Sequence, residues 1–250
     1  MSVGRVHRAS WVLVKYRRAD GEFAETTLDR VAVDDVVAGL PVREFRWYKG
    51  RRHYSGWYWS STMAGLVAYE SRLELARIML ADFDPGVTAI AAQPFQLTGP
   101  DGSRVRRHVP DLLLVTGGGG VTVVDVKAAS RLEDPLVRAQ FSWAREVAAC
   151  RGWGFEAWLG ADRGLLDNVR FLAGYRRASV ICADLVPLVL EAAGRQAAIG
   201  SVEGALAGRH PVALVRPVVL HLLWTGRLRA DLGLRLSADT LVSRAGEAAA

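Results

Sequence analysis

The 250-residue sequence has little cysteine and no long apolar run, and each shortage excludes a class of protein. Its two cysteines, Cys150 and Cys182, lack CxxC spacing and are too few for a disulfide framework or a zinc site. We expect both to be small buried apolar groups. Arg or Asp interrupts every candidate for a stretch of about 20 apolar residues, and the first ten residues lack the apolar core of a secretory signal. We therefore expect a cytoplasmic protein.

Several common catalytic motifs are also missing. There is no Gly-x-Ser-x-Gly and no Cys/His arrangement, which argues against acyl chemistry. The glycine run at 117–120 precedes a predicted strand and not a helix, so it indicates a turn and not a phosphate cradle. The five histidines show no ligand spacing; they are His7, His53, His108, His210 and His221.

The composition is that of an ordinary globular protein with a basic surface. Apolar residues make up 50% and charged residues 23% of the chain, which excludes wholesale disorder. The length suits one large domain or one domain plus a small appendage. The 32 Lys and Arg against 26 Asp and Glu give a net charge of +6, so nucleic acid is the first partner to consider.

A basic and aromatic stripe covers residues 43–59. Cations can contact phosphates and aromatic rings can stack on bases, so we expect the stripe to bind nucleic acid. A solvated hairpin whose aromatic side chains pack inward is the alternative. The candidate DNA-binding cations, two of them from a later strand, are Arg43, Arg46, Lys49, Arg51, Arg52, Arg106 and Arg107.

Hydrophobic periodicity predicts an α/β fold. Two strands joined by a turn at 19–22 come first, a helix is predicted over 68–83, and five short strands follow before residue 128. A second helix, another strand and a third helix complete a sheet flanked by helices, in a domain spanning 1–177. Beyond it the composition becomes rich in Ala and Leu, and we predict a separate small helical domain over 178–250.

The strongest functional signal is a hairpin with charges in its apolar strands, HVPDLLLVTGGGGVTVVDVKAAS. A charge buried in a sheet is strongly destabilising unless it is paired or bound to metal. We therefore expect Asp111, Asp125 and Lys127 to lie together. A five-residue loop over 116–120 places Asp111 opposite Asp125, whereas a four-residue loop turns Asp111 away. We predict the first register.

Two close carboxylates repel unless a divalent cation lies between them, and oxygen ligands suit Mg²⁺ or Mn²⁺. Lys127 would then lie beside the phosphate and stabilise the developing charge. Glu70 and Glu74 share a helix face, and we expect one of them to reach the metal. The alternative is a plain ion pair between Asp125 and Lys127. His108 either contacts substrate or is an ordinary strand residue.

The pattern Pro110-Asp111 followed by Asp125-Val126-Lys127 resembles the motif of the PD-(D/E)xK nucleases, the restriction-endonuclease-like superfamily. Within it, the Ser71-x-x-Glu74 helix and Gln93-Pro94, together with the stripe, resemble TnsA-like endonuclease subunits of heteromeric transposases. This resemblance covers roughly residues 40–175. The tail is similar to the small C-terminal helical or winged-helix unit of such subunits.

The resemblance implies a restriction-endonuclease-like mixed sheet and an Mg²⁺-dependent DNA endonuclease. It assigns Glu74, Asp111 and Asp125 to metal binding and catalysis. By the same analogy, Lys127 supports the transition state and the backbone carbonyl of Val126 adds a metal ligand. Glu70 does not fall on the Glu position of the family's Ser-x-x-Glu pattern, so it is the second choice, after Glu74, for the helix-borne metal ligand.

The resemblance also implies a setting, in which the chain nicks the five-prime ends of a transposon during cut-and-paste transposition. Its partners would be double-stranded DNA at the transposon ends, a DDE-type transposase and an ATPase regulator. The protein would be associated with the nucleoid and not with a membrane. One alternative is a stand-alone repair or restriction endonuclease. The other is a non-catalytic DNA-binding subunit that keeps the fold as a platform.

Overall fold

The computed structural model describes residues 8–43 and 54–246 of the chain. Contacts between Cα atoms divide the chain into two compact units. The first comprises residues 1–82 and 86–160, and the second comprises residues 83–85 and 161–250. Both units combine helices with strands, so the predicted α/β class is confirmed.

The first unit is rich in short strands. These are β1 (Leu13–Arg17), β2 (Phe23–Thr27), β3 (Gly56–Ser60), β4 (Gly65–Tyr69), β5 (Val87–Ala92), β6 (Gln96–Asp101), β7 (Arg104–His108), β8 (Leu112–Thr116), β9 (Val121–Val126) and β10 (Gly154–Trp158). The helices are α1 (Val33–Val37), α2 (Arg72–Phe83) and α3 (Pro135–Cys150). The five strands predicted after the first long helix are therefore all present.

Two four-stranded sheets form the body of the first unit. One is antiparallel with the order β2-β1-β6-β7, and the other has the order β10-β9-β8-β5. In the second sheet β10 runs parallel to β9, whereas β9 and β8, and β8 and β5, are antiparallel. A parallel pair needs a long crossover, which α3 supplies. The second sheet is therefore mixed, as predicted.

Apolar side chains from both sheets and from α3 form a shared core. Val14 and Leu97 come from the first sheet, Leu113 and Val123 from the second, and Trp143 from α3; each is at most 2% exposed. Full burial of such a side chain stabilises the fold by about 1.5–3 kcal/mol. This core anchors the β8–β9 hairpin and so fixes the position of the charged residues at its end.

The β8–β9 hairpin has the predicted register. Val115 pairs with Val121 across a loop over 116–120. Asp111 lies immediately before β8, and Asp125 is the next-to-last residue of β9. The two aspartates therefore come to the same end of the hairpin.

The first long helix begins later than the sequence pattern predicts. Ala68 lies in β4, and α2 begins at Arg72. The Glu74 amide donates to the Ser71 hydroxyl at 3.1 Å, which satisfies a free N–H group of the first turn. The predicted start at residue 68 is wrong because the small and apolar residues of β4 extend the helical spacing upstream.

The two cysteines are not in the core. Cys150 is exposed at the end of α3, and Cys182 is half-buried. The prediction that both are buried apolar groups is therefore wrong. The spacing and number of the cysteines argue against disulfides and a zinc site. They do not indicate whether either side chain faces the solvent or the core.

The second unit combines helices with a small sheet. Its elements in chain order are α4 (Arg163–Leu172), α5 (Val186–Ala193), β11 (Ala197–Ala198), α6 (Ile199–Leu206), α7 (Val212–Trp224), β12 (Leu228–Arg229) and β13 (Leu241–Arg244). The sheet has the order β11-β13-β12 and is antiparallel. In α7, Val215, Val218 and Leu222 are 0% exposed, so this helix is the core of the unit.

The division between the units lies before α4, and not at residue 177 where the composition changes. The Asn168 side-chain amide in α4 donates to the carbonyls of Leu232 at 2.8 Å and Leu234 at 2.7 Å. Both acceptors belong to the second unit. These bonds connect α4 to that unit, although its composition resembles that of the first.

Candidate functional site

Asp111 and Lys127 meet at the end of the β8–β9 hairpin. The Nζ atom of Lys127 lies 3.6 Å from Oδ2 of Asp111. The same oxygen accepts the Val126 N–H at 2.7 Å, and the Asp111 N–H donates to the Val124 carbonyl at 3.1 Å. The Val126 N–H of the opposite strand thus holds the Asp111 carboxylate, and the Lys127 ammonium lies next to it.

Asp125 is the most deeply buried charged group of the site, with 0% exposure. Its Oδ1 atom lies 2.9 Å from Nε2 of His108. Its Oδ2 atom is buried and has no hydrogen-bond partner in the described part of the chain. A buried carboxylate oxygen without a hydrogen-bond partner destabilises the folded protein, so this atom is suited to binding a cation.

His108 is connected in turn to α3. The side-chain Nε2 atom of Gln140 lies 2.9 Å from Nδ1 of His108. The sequence allows either a substrate contact or an ordinary strand residue at His108, and the structure places it in β7 with hydrogen bonds to both ring nitrogens. Gln140 lies 32 residues away from His108 in the chain and belongs to no motif, so the sequence does not point to it.

Glu74 lies at the start of α2 and is held by local hydrogen bonds. Its Oε2 atom accepts the Glu70 N–H at 2.8 Å, and its Oε1 atom accepts the Ser71 hydroxyl at 2.9 Å. This arrangement resembles a capping box, in which the acid three residues after the N-cap satisfies a free donor. Ser-x-x-Glu therefore has a structural role here, whatever else Glu74 does.

The pKa of Glu74 is nevertheless raised. Burial is the main cause, and the negative charge of Asp111 adds to it, while the Glu70 N–H and the Ser71 hydroxyl act in the opposite direction. The coupling shows that Glu74 and Asp111 share one electrostatic environment. Glu70 is oriented differently, because its carboxylate lies 3.8 Å from Nη1 of Arg43.

The pKa of Asp111 is raised as well. Burial is the largest cause and the Asp125 charge adds to it, whereas Lys127 and the Val126 N–H lower the pKa. Both Glu74 and Asp111 are thus half-buried acids whose charges repel neighbouring acids. Acids with perturbed pKa values near a cleft are a recognised mark of functional sites.

The residues fit a hard cation in their chemistry but are not gathered as a finished ligand set. Among residues 8–43 and 54–246, no group of three or more His, Cys, Asp and Glu is arranged to hold a metal ion. Within the described ranges, Oδ2 of Asp125 is a buried carboxylate oxygen without a hydrogen-bond partner, whereas each oxygen of Glu74 already accepts one hydrogen bond. Carboxylate oxygens of this kind are what Mg²⁺ and Mn²⁺ prefer.

A polar cleft of about 460 Å³ opens beside these residues. Its polar and charged lining includes Lys15, Arg43, Gln96, Arg107, His108, Asp111, Lys127 and Gln140. Four of these carry a positive charge and only one is an acid. The cleft is therefore suited to an anionic ligand that reaches Asp111 and Lys127.

The candidate DNA-binding arginines separate into different settings. Arg107 lines the cleft and is exposed, whereas Arg106 lies 2.6 Å from the buried carboxylate of Asp101. Arg43 lines the cleft and pairs with Glu70. The remaining candidates lie outside the described residues; they are Arg46, Lys49, Arg51 and Arg52.

The described end of the stripe is a hairpin, formed by β3 and β4. Tyr58 points inward and is 7% exposed, whereas Trp57 is 48% exposed. The Tyr54 ring stacks on Tyr69 with centroids 6.1 Å apart, and the Arg72 guanidinium lies over it at 4.9 Å. The alternative hypothesis, in which the aromatic side chains of the stripe pack inward, therefore holds for Tyr58 but not for Trp57.

Gln93 is a further unusual residue beside the site. It is 2% exposed, has a positive φ of 44°, and its Oε1 atom has no hydrogen-bond partner within the described ranges. Its N–H donates to the Asp111 carbonyl at 2.9 Å. Left-handed backbone is strained for a residue with a Cβ atom. The family resemblance included Gln93-Pro94, but nothing in the sequence indicated this strain.

Comparisons with models of known protein families and with curated proteins find no match to the chain. The helices of the described residues are all too short or too polar to cross a membrane. The function is therefore inferred from the geometry and electrostatics of the site.

Proposed function

We propose that the chain is a metal-dependent DNA endonuclease of the PD-(D/E)xK type. The observation that carries the proposal is the meeting of Asp111, Asp125 and Lys127 at the end of one hairpin, beside a cleft with four cationic residues. The unpartnered Oδ2 atom of Asp125 supports a cation there. The cationic lining supports a phosphate-bearing ligand.

The topology is compatible with this class. The elements α2, β5, β8, β9, α3 and β10 occur in this order, with β6 and β7 between β5 and β8, and their four strands form one mixed sheet. A mixed sheet accompanied by helices supports the restriction-endonuclease-like resemblance. The second unit, with its order α5, β11, α6, α7, β12, β13, is compatible with a winged-helix domain.

In the proposed mechanism Asp111 and Asp125 would hold Mg²⁺ or Mn²⁺, and Glu74 and the Val126 carbonyl would serve as further ligands. The ion would lower the pKa of a bound water and so supply the nucleophile. Lys127, next to Asp111 at the cleft, stabilises the charge that develops on the phosphate. Arg107 and Lys15 hold the DNA backbone in the cleft, and His108 stays bonded to Asp125.

The biological setting rests on the family resemblance alone. We propose that the chain is a TnsA-like subunit that nicks the five-prime ends of a transposon, together with a DDE-type transposase and an ATPase regulator. A stand-alone repair or restriction endonuclease would use the same chemistry. Neighbouring genes separate the two, because a transposase and an ATPase favour transposition and a methyltransferase favours restriction.

One observation favours a second candidate, a DNA-binding platform without catalysis. Glu74 is engaged in capping hydrogen bonds, and no finished ligand set exists among the described residues. Calorimetry distinguishes the candidates, because a platform would bind DNA with no heat of Mg²⁺ or Mn²⁺ binding.

The experiment that tests the endonuclease is nicking of supercoiled plasmid in Mg²⁺. We expect the wild type to nick, and Asp111→Ala and Lys127→Ala to lose nicking while folding and DNA affinity stay nearly unchanged. Asp29→Ala, at an exposed position, serves as a matched control that retains activity. If either site variant cuts at the wild-type rate, the role of that residue is refuted.

A further inference from the structure

Three side chains from three separate elements form one chain of hydrogen bonds in the first unit. Gln140 in α3 contacts His108 in β7 at 2.9 Å, and His108 contacts Asp125 in β9 at 2.9 Å. The side chains of His108 and Asp125 are 7% and 1% exposed. His108 and Gln140 also line the cleft.

The direction of these hydrogen bonds follows from the amide. The Gln140 Nε2 atom can only donate, so Nδ1 of His108 accepts and carries no proton. The ring proton is then on Nε2, which donates to Oδ1 of Asp125. Gln140 thus selects the one neutral tautomer of His108 that can hold the aspartate.

The hydrogen bond from His108 to Oδ1 also determines the position of Oδ2, the other carboxylate oxygen of Asp125. Because Oδ1 is fixed by His108, the carboxylate cannot exchange its two oxygens by rotation without breaking a buried hydrogen bond. Oδ2 is left as the buried acceptor without a partner. The chain of bonds therefore determines which oxygen of Asp125 is available to a cation.

We propose that His108 and Gln140 are positioning residues that orient the Asp125 carboxylate for metal binding, an inference that rests on the proposed endonuclease function. Partners that bond to a ligating carboxylate or imidazole typically change metal affinity by about 10- to 100-fold when removed. Neither residue touches the cation itself in this arrangement.

A purely structural buried histidine is the competing explanation. It predicts that removing His108 or Gln140 lowers stability without any specific effect on the cation. The positioning role predicts instead that affinity for the cation changes while the folded protein persists, and that a side chain with a donor in the same place restores it.

The test measures Mn²⁺ affinity by electron paramagnetic resonance on the full chain bound to a short DNA duplex. We expect Gln140→Leu and His108→Leu to weaken Mn²⁺ binding by about 10- to 100-fold. His108→Gln, whose amide can place a donor where Nε2 was, should bind within about threefold of the wild type. Circular dichroism checks that each variant is folded.

A second measurement needs no metal. In ¹⁵N-histidine NMR spectra at one fixed pH, we expect His108 to carry its proton on Nε2 in the wild type and to lose this preference in Gln140→Leu. A wild type protonated on Nδ1 would overturn the inference. So would folded Leu variants that bind Mn²⁺ as the wild type does.

Failure of the proposed function gives a different result. A wild type that binds no Mn²⁺ and does not nick plasmid would overturn the endonuclease proposal, and the positioning role with it. A wild type that binds Mn²⁺ and nicks, alongside Leu variants with unchanged affinity, would overturn the positioning role alone.

Discussion

The Lys127 ammonium lies 3.6 Å from Oδ2 of Asp111, yet it does not fully compensate the charge of that half-buried carboxylate. Burial and the Asp125 charge together raise the pKa of Asp111 by more than Lys127, the Val126 N–H and His108 lower it. The folded protein therefore holds an acid that is less stable when ionised than it would be in water. Such a site gains from a further positive charge.

This imbalance predicts that Asp111→Asn stabilises the protein at neutral pH. A carboxyl whose pKa is raised on folding binds more protons in the folded state, so it lowers stability as pH rises from its ordinary value of 3.8 through the raised value. The gain from Asn should be full above the raised pKa and disappear below the ordinary one. Thermal unfolding between pH 3 and pH 8 measures it.

The control for this prediction is Asp29→Asn, at an exposed position. It should change the melting temperature little at any pH. An Asp111→Asn variant that is less stable than the wild type at neutral pH, or a gain that does not vary with pH, would show that Lys127 already compensates the charge.

Two adjacent arginines in β7 should differ in their effects on DNA binding. Arg107→Ala removes a cation from the cleft, so the slope of log affinity against log salt concentration should decrease by about 0.9. Arg106→Ala should leave that slope unchanged and instead destabilise the fold by about 1–3 kcal/mol, because Arg106 pairs with buried Asp101. Fluorescence anisotropy at several salt concentrations checks both. Equal slopes for Arg107→Ala and the wild type would exclude this cleft as the DNA surface.

Buried Asp82 at the end of α2 should be essential for the β3–β4 hairpin. Its carboxylate accepts hydrogen bonds from the Tyr58 hydroxyl at 2.8 Å, the Ser60 hydroxyl at 2.6 Å and the Thr62 N–H at 2.7 Å. Asp82→Ala removes the acceptor that these donors share, and we expect a loss of about 3–5 kcal/mol in unfolding free energy. Urea unfolding monitored by tryptophan fluorescence measures it, and a loss below about 1 kcal/mol would contradict the role.

The placement of α4 in the second unit predicts a large effect at Asn168. Its amide bonds to Leu232 and Leu234, so Asn168→Ala should destabilise the second unit by about 2–4 kcal/mol. Asp167→Ala next to it removes only exposed ion pairs, which contribute about 0–1 kcal/mol. Differential scanning calorimetry compares the two variants. Equal effects would contradict the assignment of α4.

The hairpin could be predicted from sequence because two constraints agreed. Alternation fixed which residues of β9 share a face, and the need to pair the charges favoured the five-residue loop over the four-residue one, so the meeting of Asp111 and Lys127 followed. The same logic could not distinguish Arg106 from Arg107, because which face of β7 lines a cleft depends on a second sheet that the local pattern does not describe.

Other parts of the site depended on tertiary packing or on ambiguous motifs. Gln140 reaches His108 only because α3 packs beside β7, and no spacing in the sequence relates them. Ser71-x-x-Glu74 had two physical meanings, a helix cap and a helical acid near metal, and the hydrogen bonds show the first directly. Cys150 was misjudged because its exposure depends on where α3 ends.

The most direct test of the central claim is anomalous scattering from crystals of the full chain grown with Mn²⁺. We predict a peak within about 2.5 Å of Oδ2 of Asp125 and of an Asp111 carboxylate oxygen, and its loss in Asp125→Asn crystals. Wild-type crystals with no peak between these two carboxylates, at a Mn²⁺ concentration that supports nicking, would contradict the account.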